Sequence, residues 1–118
     1  MNEVIRPTDE LPVSVLKADH IVFDELSFVR NGFSNKNDSK TNFNLSYGID
    51  KISDGEYRTT LTAQAVRENE FEAKVQISGY WSIDETDANK NHLLQENALA
   101  ILFPYVRSEM TLLTAQPE

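Results

Sequence analysis

Alternation of apolar and polar residues in three successive stretches is the feature that most constrains how this chain can fold. In residues 42–52, 57–67 and 71–83 the apolar side chains fall mainly at every second position, with Thr59 and Gly79 among the exceptions. A period of two is that of a β-strand with one buried face. The short segments 53–56 and 67–70 between them are turn-like, and Asp-Gly in the first is a strong hairpin signal. The pattern therefore predicts an antiparallel sheet built from hairpins.

A fourth strand is predicted upstream, in residues 18–30. Ile21 and Phe23 alternate there, and so do Leu26 and Phe28, but the two pairs are out of phase. A β-bulge at the acidic pair between Phe23 and Leu26 would restore the phase. Four strands joined in sequence by turns predict an antiparallel meander.

The C-terminal part of the chain changes to the helical period. A polar connection, residues 84–92, leads to a helix predicted from Leu94 or Asn97 to Thr114, with Asn97 as the N-cap. Pro104 lies inside this pattern and should kink the helix or mark a new first turn. The fold class predicted from all these elements is α+β, with a four-stranded antiparallel sheet and a long C-terminal helix packed on one face.

The predicted helix has more apolar surface than one small sheet can cover. At about 100° per residue its apolar side chains form two adjacent stripes that occupy more than half of the circumference, whereas covering one sheet face needs only about 100°. The surplus indicates a subunit interface, a surface for apolar clients or an over-hydrophobic core, and no second long helix is visible to cover it. We assign to an oligomer interface Leu99, Leu102, Phe103, Val106, Glu109 and Met110.

Length and composition fit a single domain of 118 residues. Residues 1–17 read as an irregular N-terminal arm in which residues 13–16 could form a short strand, and residues 31–41 read as a mobile surface loop. The formal net charge of −8 argues against nucleic-acid backbones and anionic lipid as partners. No apolar run reaches the roughly 20 residues of a membrane span, so no membrane insertion and a cytoplasmic location are expected.

The sequence contains no pattern typical of a catalytic or metal-binding site. The chain has no cysteine, which excludes disulfides and thiolate chemistry. Asp84, Glu85 and Asp87 lack the spacing of a calcium loop and read as a solvated linker. His20 and His92 stand apart, without the spacing of a zinc-binding helix. We therefore expect neither an enzyme nor a cofactor.

Three short motifs carry a resemblance to a known family. They are Glu25-Leu-Ser-Phe28, Lys74-Val-Gln-Ile-Ser-Gly-Tyr-Trp-Ser-Ile83 and Asn97-Ala-Leu-Ala-Ile-Leu-Phe-Pro-Tyr-Val-Arg107. These resemble, in turn, the first strand, the fourth strand and the helix signature N-x-L-F-P-Y-x-R of the SecB family of protein-export chaperones. The resemblance extends from about residue 18 to residue 115.

That resemblance implies a chaperone that assembles into dimers and tetramers and holds unfolded polypeptides in long apolar grooves. Tyr80 and Trp81 are adjacent on a strand and face opposite sides, so one should be core and the other could line such a groove. The client-binding residues expected on this basis are Phe33, Tyr47, Tyr80, Trp81, Leu102 and Tyr105.

The resemblance also implies transfer of clients to the export motor SecA through an acidic sheet face. Glu25 keeps one of the acids expected there, but Val29 and Lys74 stand where others are expected, so SecA is a doubtful partner. Family members usually continue beyond the helix with a Pro-rich segment and a second helix, and this chain appears as a C-terminally shortened member. A dedicated adaptor for one native partner, such as an antitoxin, is the alternative interpretation.

Overall fold

The computed structural model describes residues 16–33 and 40–115, which form a four-stranded antiparallel sheet with one long helix on one face. The predicted α+β fold class is confirmed. The first 15 residues, including most of the short strand considered at residues 13–16, and residues 34–39 of the predicted loop lie outside the described residues. The strands are β1 (Lys17–Arg30), β2 (Thr41–Ser53), β3 (Glu56–Arg67) and β4 (Phe71–Ser82), and the long helix is α1 (Ala98–Thr114).

The strand order in the sheet is β1-β4-β3-β2, so β1 lies beside β4 rather than beside β2. Strands β2, β3 and β4 form the predicted meander. The predicted position of β1 is wrong, because a simple four-strand meander would place β1 next to β2. β1 and β2 lie at opposite edges of the sheet, about 14 Å apart over three strand spacings, and residues 31–40 are the connection between them. It starts against the β3–β4 turn, where the backbone N–H groups of Asn31 and Gly32 donate to the Glu70 carbonyl.

The predicted bulge in β1 is present. The register of β1 against β4 shifts between Phe23 and Glu25, and a second shift lies between Ala18 and His20. The bulge keeps Phe23, Leu26 and Phe28 on one face, since their partners in β4 are Ile77, Val75 and Ala73. The two halves of β1 therefore both point their apolar side chains toward the helix.

The core lies between α1 and the two central strands. The helix buries the residues at every fourth position, Ala98, Leu102, Val106 and Met110. The sheet residues beneath it alternate along β3 and β4, as the sequence predicted, and the buried ones include Tyr57, Leu61, Ala63, Ala65, Phe71, Val75, Ile77 and Trp81.

The helical segment begins earlier than predicted, and Asn97 is not its N-cap. Asn97 has helical backbone angles, φ −70° and ψ −38°, and makes no capping hydrogen bond. A helical turn at Lys90–His92 and a π-helical turn at Leu93–Asn97 precede α1. The reason is packing, because Leu93 and Leu94 are both 3% exposed and extend the buried surface of the helix toward its N-terminus.

Pro104 lies within the continuous α1 on its exposed side. Its ring nitrogen cannot donate to the carbonyl of Ala100, and water can reach that carbonyl on the exposed side. Within the described residues, no helix is long and apolar enough to cross a membrane.

Candidate functional site

One helix cannot cover a sheet of four strands. A helix with its side chains is about 10–12 Å across, whereas adjacent strands are about 4.8 Å apart. Accordingly, α1 makes most of its contacts with β4 and β3 and few with β1. The two edge strands are left with apolar side chains that the helix does not reach.

On β2 the uncovered side chains form a continuous row. Phe43, Leu45 and Tyr47 pair with Ala65, Ala63 and Leu61 of β3, which places them on the helix side of the sheet. They are nevertheless 65%, 57% and 54% exposed. A row of large apolar side chains that faces the helix but remains open to solvent forms one wall of a groove.

The opposite wall is α1, and we call the space between them the β2–α1 groove. It consists of two adjoining cavities of about 310 and 390 Å³ that share Leu45 and Phe103. Leu99 and Phe103 project from the helix, and Leu61 and Ala63 form the floor. Because alanine rises little from the sheet, the floor is low between the two rows of larger side chains.

The groove is almost entirely apolar. Its polar lining is limited to Asn44, Ser46, Arg107, Thr111 and Thr114, and the remaining lining residues are hydrophobic. Apolar contact is non-directional and tolerates many sequences, so such a surface suits a polypeptide segment better than a ligand that needs several fixed hydrogen bonds.

A second apolar surface lies on the other side of the helix. Ile101, Tyr105 and Leu112 are 37%, 46% and 68% exposed. On a helical wheel with about 100° per residue, these three residues lie within roughly 40° of one another. The buried row of the helix separates them from Phe103. We call these three residues the α1 flank. Beyond it, β1 presents the half-exposed side chains of Phe23 and Leu26 on the same face of the sheet.

The predicted client-binding residues do not form one site. Tyr47 lies in the β2–α1 groove, and Tyr105 lies on the α1 flank. Trp81 and Leu102 are 1% and 0% exposed, so they belong to the core and are not available to a client. The remaining two lie elsewhere.

Phe33 follows β1 at the far edge of the sheet and is 73% exposed, with its ring 6.0 Å from the guanidinium carbon of Arg30. Tyr80 is half-buried on the opposite face of the sheet, where its ring meets that of His20 edge-on at 6.3 Å. Neither residue lines the β2–α1 groove.

The residues predicted to form an oligomer interface also divide into core residues and groove or surface residues. Leu102 is fully buried against the sheet and cannot contact a second subunit, whereas Val106 and Met110 are core residues whose small remaining surface lines the cavity of about 310 Å³. Leu99 and Phe103 line the groove, and Glu109 is half-buried on the helix. A helical wheel shows how wide an apolar arc is but not which part of it faces the sheet, and this is why the assignment mixed core with surface.

Phe43 and Leu45 were predicted only as core-facing strand residues, yet they form the groove wall. The signal that could have identified them is the pairing of large residues on β2 with alanines on β3. That signal becomes readable only when the register and the position of β2 at the sheet edge are known.

Glu85, which the sequence places in a solvated linker, is a structural anchor. Its carboxylate accepts hydrogen bonds from the backbone N–H of Gly55 at 2.7 Å, the Tyr57 hydroxyl at 2.9 Å and the Lys90 ammonium at 2.9 Å, and Lys51 lies 3.3 Å away. The Gly55 N–H, followed by Lys90 and Tyr57, lowers the pKa of Glu85 from 4.5 to about 2. The anchor joins the β2–β3 turn to the segment that starts the helix, so it helps to set the position of α1 relative to β2.

The face of the sheet opposite the helix is mainly polar, although Val22 and Val29 are exposed on it. Glu25, the residue expected to face SecA, forms an ion pair with Lys74 at 3.2 Å across β1 and β4. Its negative charge is therefore compensated locally. No group of three or more potential metal ligands occurs among residues 16–33 and 40–115.

Comparison with known proteins supports the fold by structure and not by sequence. No protein-family model matches the chain, and no curated protein matches it. The Mycobacterium tuberculosis Rv1957 SecB-like chaperone, solved in complex with a ChAD peptide from the Rv1956 HigA1 antitoxin, has a similar structure with a TM-score of 0.64. The alignment covers 86% of this chain and 82% of that chain at 9% identity. A protein of unknown function from Streptococcus agalactiae aligns over 86% of both chains with a TM-score of 0.47 and 13% identity. The chain thus has the fold of a SecB-like chaperone, as its motifs led us to expect.

Proposed function

We propose that this chain is a SecB-like molecular chaperone that binds unfolded or partly folded polypeptides in the β2–α1 groove, without catalysis or a cofactor. The observation that carries the proposal is the open apolar row of Phe43, Leu45 and Tyr47, which faces the helix but is not covered by it. The peptide-bound state of the Mycobacterium tuberculosis structure, which has the same fold, supports a polypeptide as the ligand.

A single groove gives only a modest affinity. Phe43, Leu45 and Tyr47 are each more than half exposed, and covering half of a large apolar side chain is worth roughly 1 kcal/mol. The total of roughly 3 kcal/mol is partly offset by the cost of ordering the client. Tight holding therefore requires several grooves acting on one client, as an oligomer would supply.

The α1 flank is the surface that we assign to assembly of a dimer or tetramer. Its three exposed apolar residues lie away from the groove, so a second copy could cover them while leaving the groove open. Light scattering should give a mass above that of a monomer, and Tyr105→Glu should lower it with the circular dichroism spectrum unchanged. A wild-type chain that is monomeric at micromolar concentration would contradict this assignment.

The chaperone role is tested by suppression of aggregation. A chemically denatured model protein is diluted into buffer with the chain at equal or higher concentration and without nucleotide, and turbidity is followed. We expect suppression by the wild type and a clear loss with Leu45→Asp, which adds a charge to the groove wall. Asn42→Asp is the matched control, because this exposed residue adds the same charge on the opposite face of the same strand. Absence of suppression at excess wild-type protein would refute the chaperone role.

A dedicated adaptor is the second candidate, in which the same groove binds one native partner. The bound antitoxin peptide in the Mycobacterium tuberculosis structure favours it. Capture of bound polypeptides from the native cell distinguishes the two roles. Recovery of many unrelated nascent chains would favour the general chaperone, and recovery of one protein would favour the adaptor.

Handover to SecA is not part of the proposal, because the Glu25–Lys74 pair compensates charge on the sheet face where an acidic surface would be needed. We place the protein in the cytoplasm, where unfolded chains are first available. Cell fractionation with an antibody against the chain tests this location, and recovery in the membrane fraction would contradict it.

A further inference from the structure

Arg107 is the one charged residue among those that line the β2–α1 groove. It belongs to the exposed part of α1 and borders the cavity of about 310 Å³. Among the described residues, no carboxylate lies within ion-pair distance of its guanidinium. A cation that has no anionic partner in residues 16–33 and 40–115, at the border of an apolar groove, is complementary to a carboxylate carried by the occupant.

The position of Arg107 makes the two halves of the groove different. The cavity that Arg107 borders is also lined by Phe43 and Leu45. The other half, around Tyr47 and Leu99, has no charged lining residue. A carboxylate would therefore be favoured at one end of a bound segment and not at the other.

The free edge of β2 favours an extended occupant. β2 is the last strand in the order β1-β4-β3-β2, and within the described residues no further strand pairs with it. A peptide that adds to such an edge forms backbone hydrogen bonds with it. Its alternate side chains, spaced about 7 Å apart, would then lie on the helix side of the sheet, beside Phe43, Leu45 and Tyr47 at the open border of the groove.

We propose that the groove selects extended segments whose alternate apolar residues end, at one side, in an aspartate or glutamate that pairs with Arg107. This inference rests on the proposed polypeptide-binding function and names its substrate class. The chain is strongly acidic overall, but at physiological salt fields are screened within about 8 Å. The local contact with Arg107 therefore decides the preference.

The test uses short fluorescent peptides, blocked at both ends, that share one alternating apolar core. Each carries Asp, Asn or Lys at one end of the core or at the other, and binding is measured by fluorescence anisotropy. We expect the Asp peptide to bind about two- to fivefold more tightly than the Asn peptide. This difference is expected when the test residue stands at one particular end of the core, and not when it stands at the other end. The difference should shrink as salt is added.

Arg107→Gln should remove the preference for Asp, so that the Asp and Asn peptides bind with equal affinity. Arg107→Glu should reverse the preference toward Lys, a gain that loss of folding could not produce. Lys74→Gln is the matched control, because it removes the same charge from the opposite face of the sheet. An equal affinity of wild type for the Asp and Asn peptides, or an Asp preference that survives Arg107→Gln, would overturn this inference alone. Failure of all peptides to bind would overturn the proposed function as well.

Discussion

Gly79 lies in the core, at a position where a larger side chain does not fit. It lies on the helix-facing side of β4, two residues before Trp81 on the same face of the strand. A Cβ atom at position 79 would lie 2.2 Å from Cζ2 of Trp81, and 2.8 and 2.9 Å from two further ring carbons. Non-bonded carbon atoms approach each other to about 3.5 Å. In the Gly79→Ala variant the indole of Trp81 must therefore move by more than about 1 Å.

The cost of that movement is large because Trp81 is 1% exposed and has little free space to enter. Overpacking a filled core costs about 1–3 kcal/mol, and we expect the upper half of that range, about 2–3 kcal/mol. At roughly 4 °C per kcal/mol, the Tm should fall by about 8–12 °C.

Thermal unfolding followed by circular dichroism measures the loss, and fluorescence reports on Trp81 directly, because it is the one tryptophan of the chain. Its emission should shift to the red in Gly79→Ala. The loss should be smaller when the same change is made in a Trp81→Phe background, since the atoms that clash are then absent.

Gly48 offers a matched control on β2. A Cβ atom there would have nothing within 4 Å, so Gly48→Ala should be neutral or slightly stabilising, through the lower entropy of the unfolded chain. The reasoning would be refuted if Gly79→Ala kept the wild-type Tm, or if Gly48→Ala were equally destabilising.

Two further predictions concern stability. The pKa of Glu85 is lowered from 4.5 to about 2, so its stabilisation is present above pH 4.5 and is lost as the pH falls toward 2. Glu85→Gln should therefore lower the free energy of unfolding at pH 7 and have little effect at pH 2; urea titrations at both pH values measure this, and an equal loss at both would contradict it. Leu102→Ala should cost about 2–5 kcal/mol, because the side chain is 0% exposed. Leu112→Ala, at 68% exposure, should stay within about 0.5 kcal/mol, and similar losses in urea unfolding for the two leucine variants would show that the assigned faces of α1 are wrong.

The bulge in β1 was predictable because it is a local event. Ile21 and Phe23 are out of phase with Leu26 and Phe28, and with one face buried only an extra residue between the pairs can keep all four on it. The start of the helix was less predictable. Asn97 is a good capping residue, but burial of Leu93 and Leu94 extends the helical segment past it.

The groove could not be predicted in the same way. Alternation on β2 showed that Phe43, Leu45 and Tyr47 share a face, and nothing in that pattern distinguishes a covered face from an open one. The pairing of β1 with β4 places β2 at the edge of the sheet. A long-range pairing of this kind leaves no mark in the local sequence, so Tyr47 was predicted to bind clients whereas Phe43 and Leu45 were not distinguished from core residues.

Local periodicity alone thus determined the four strands, the presence of the helix and the face that each strand turns inward, because a period of two or 3.6 is a property of neighbouring residues. It also showed that the apolar surface of the helix exceeds what one sheet face needs. Only the tertiary structure decided which apolar residues stay uncovered. A helix about 10–12 Å wide spans two strands spaced about 4.8 Å apart. Strand order then decides that β3 and β4 lie under it and that β2, with Arg107 facing it from α1, remains open.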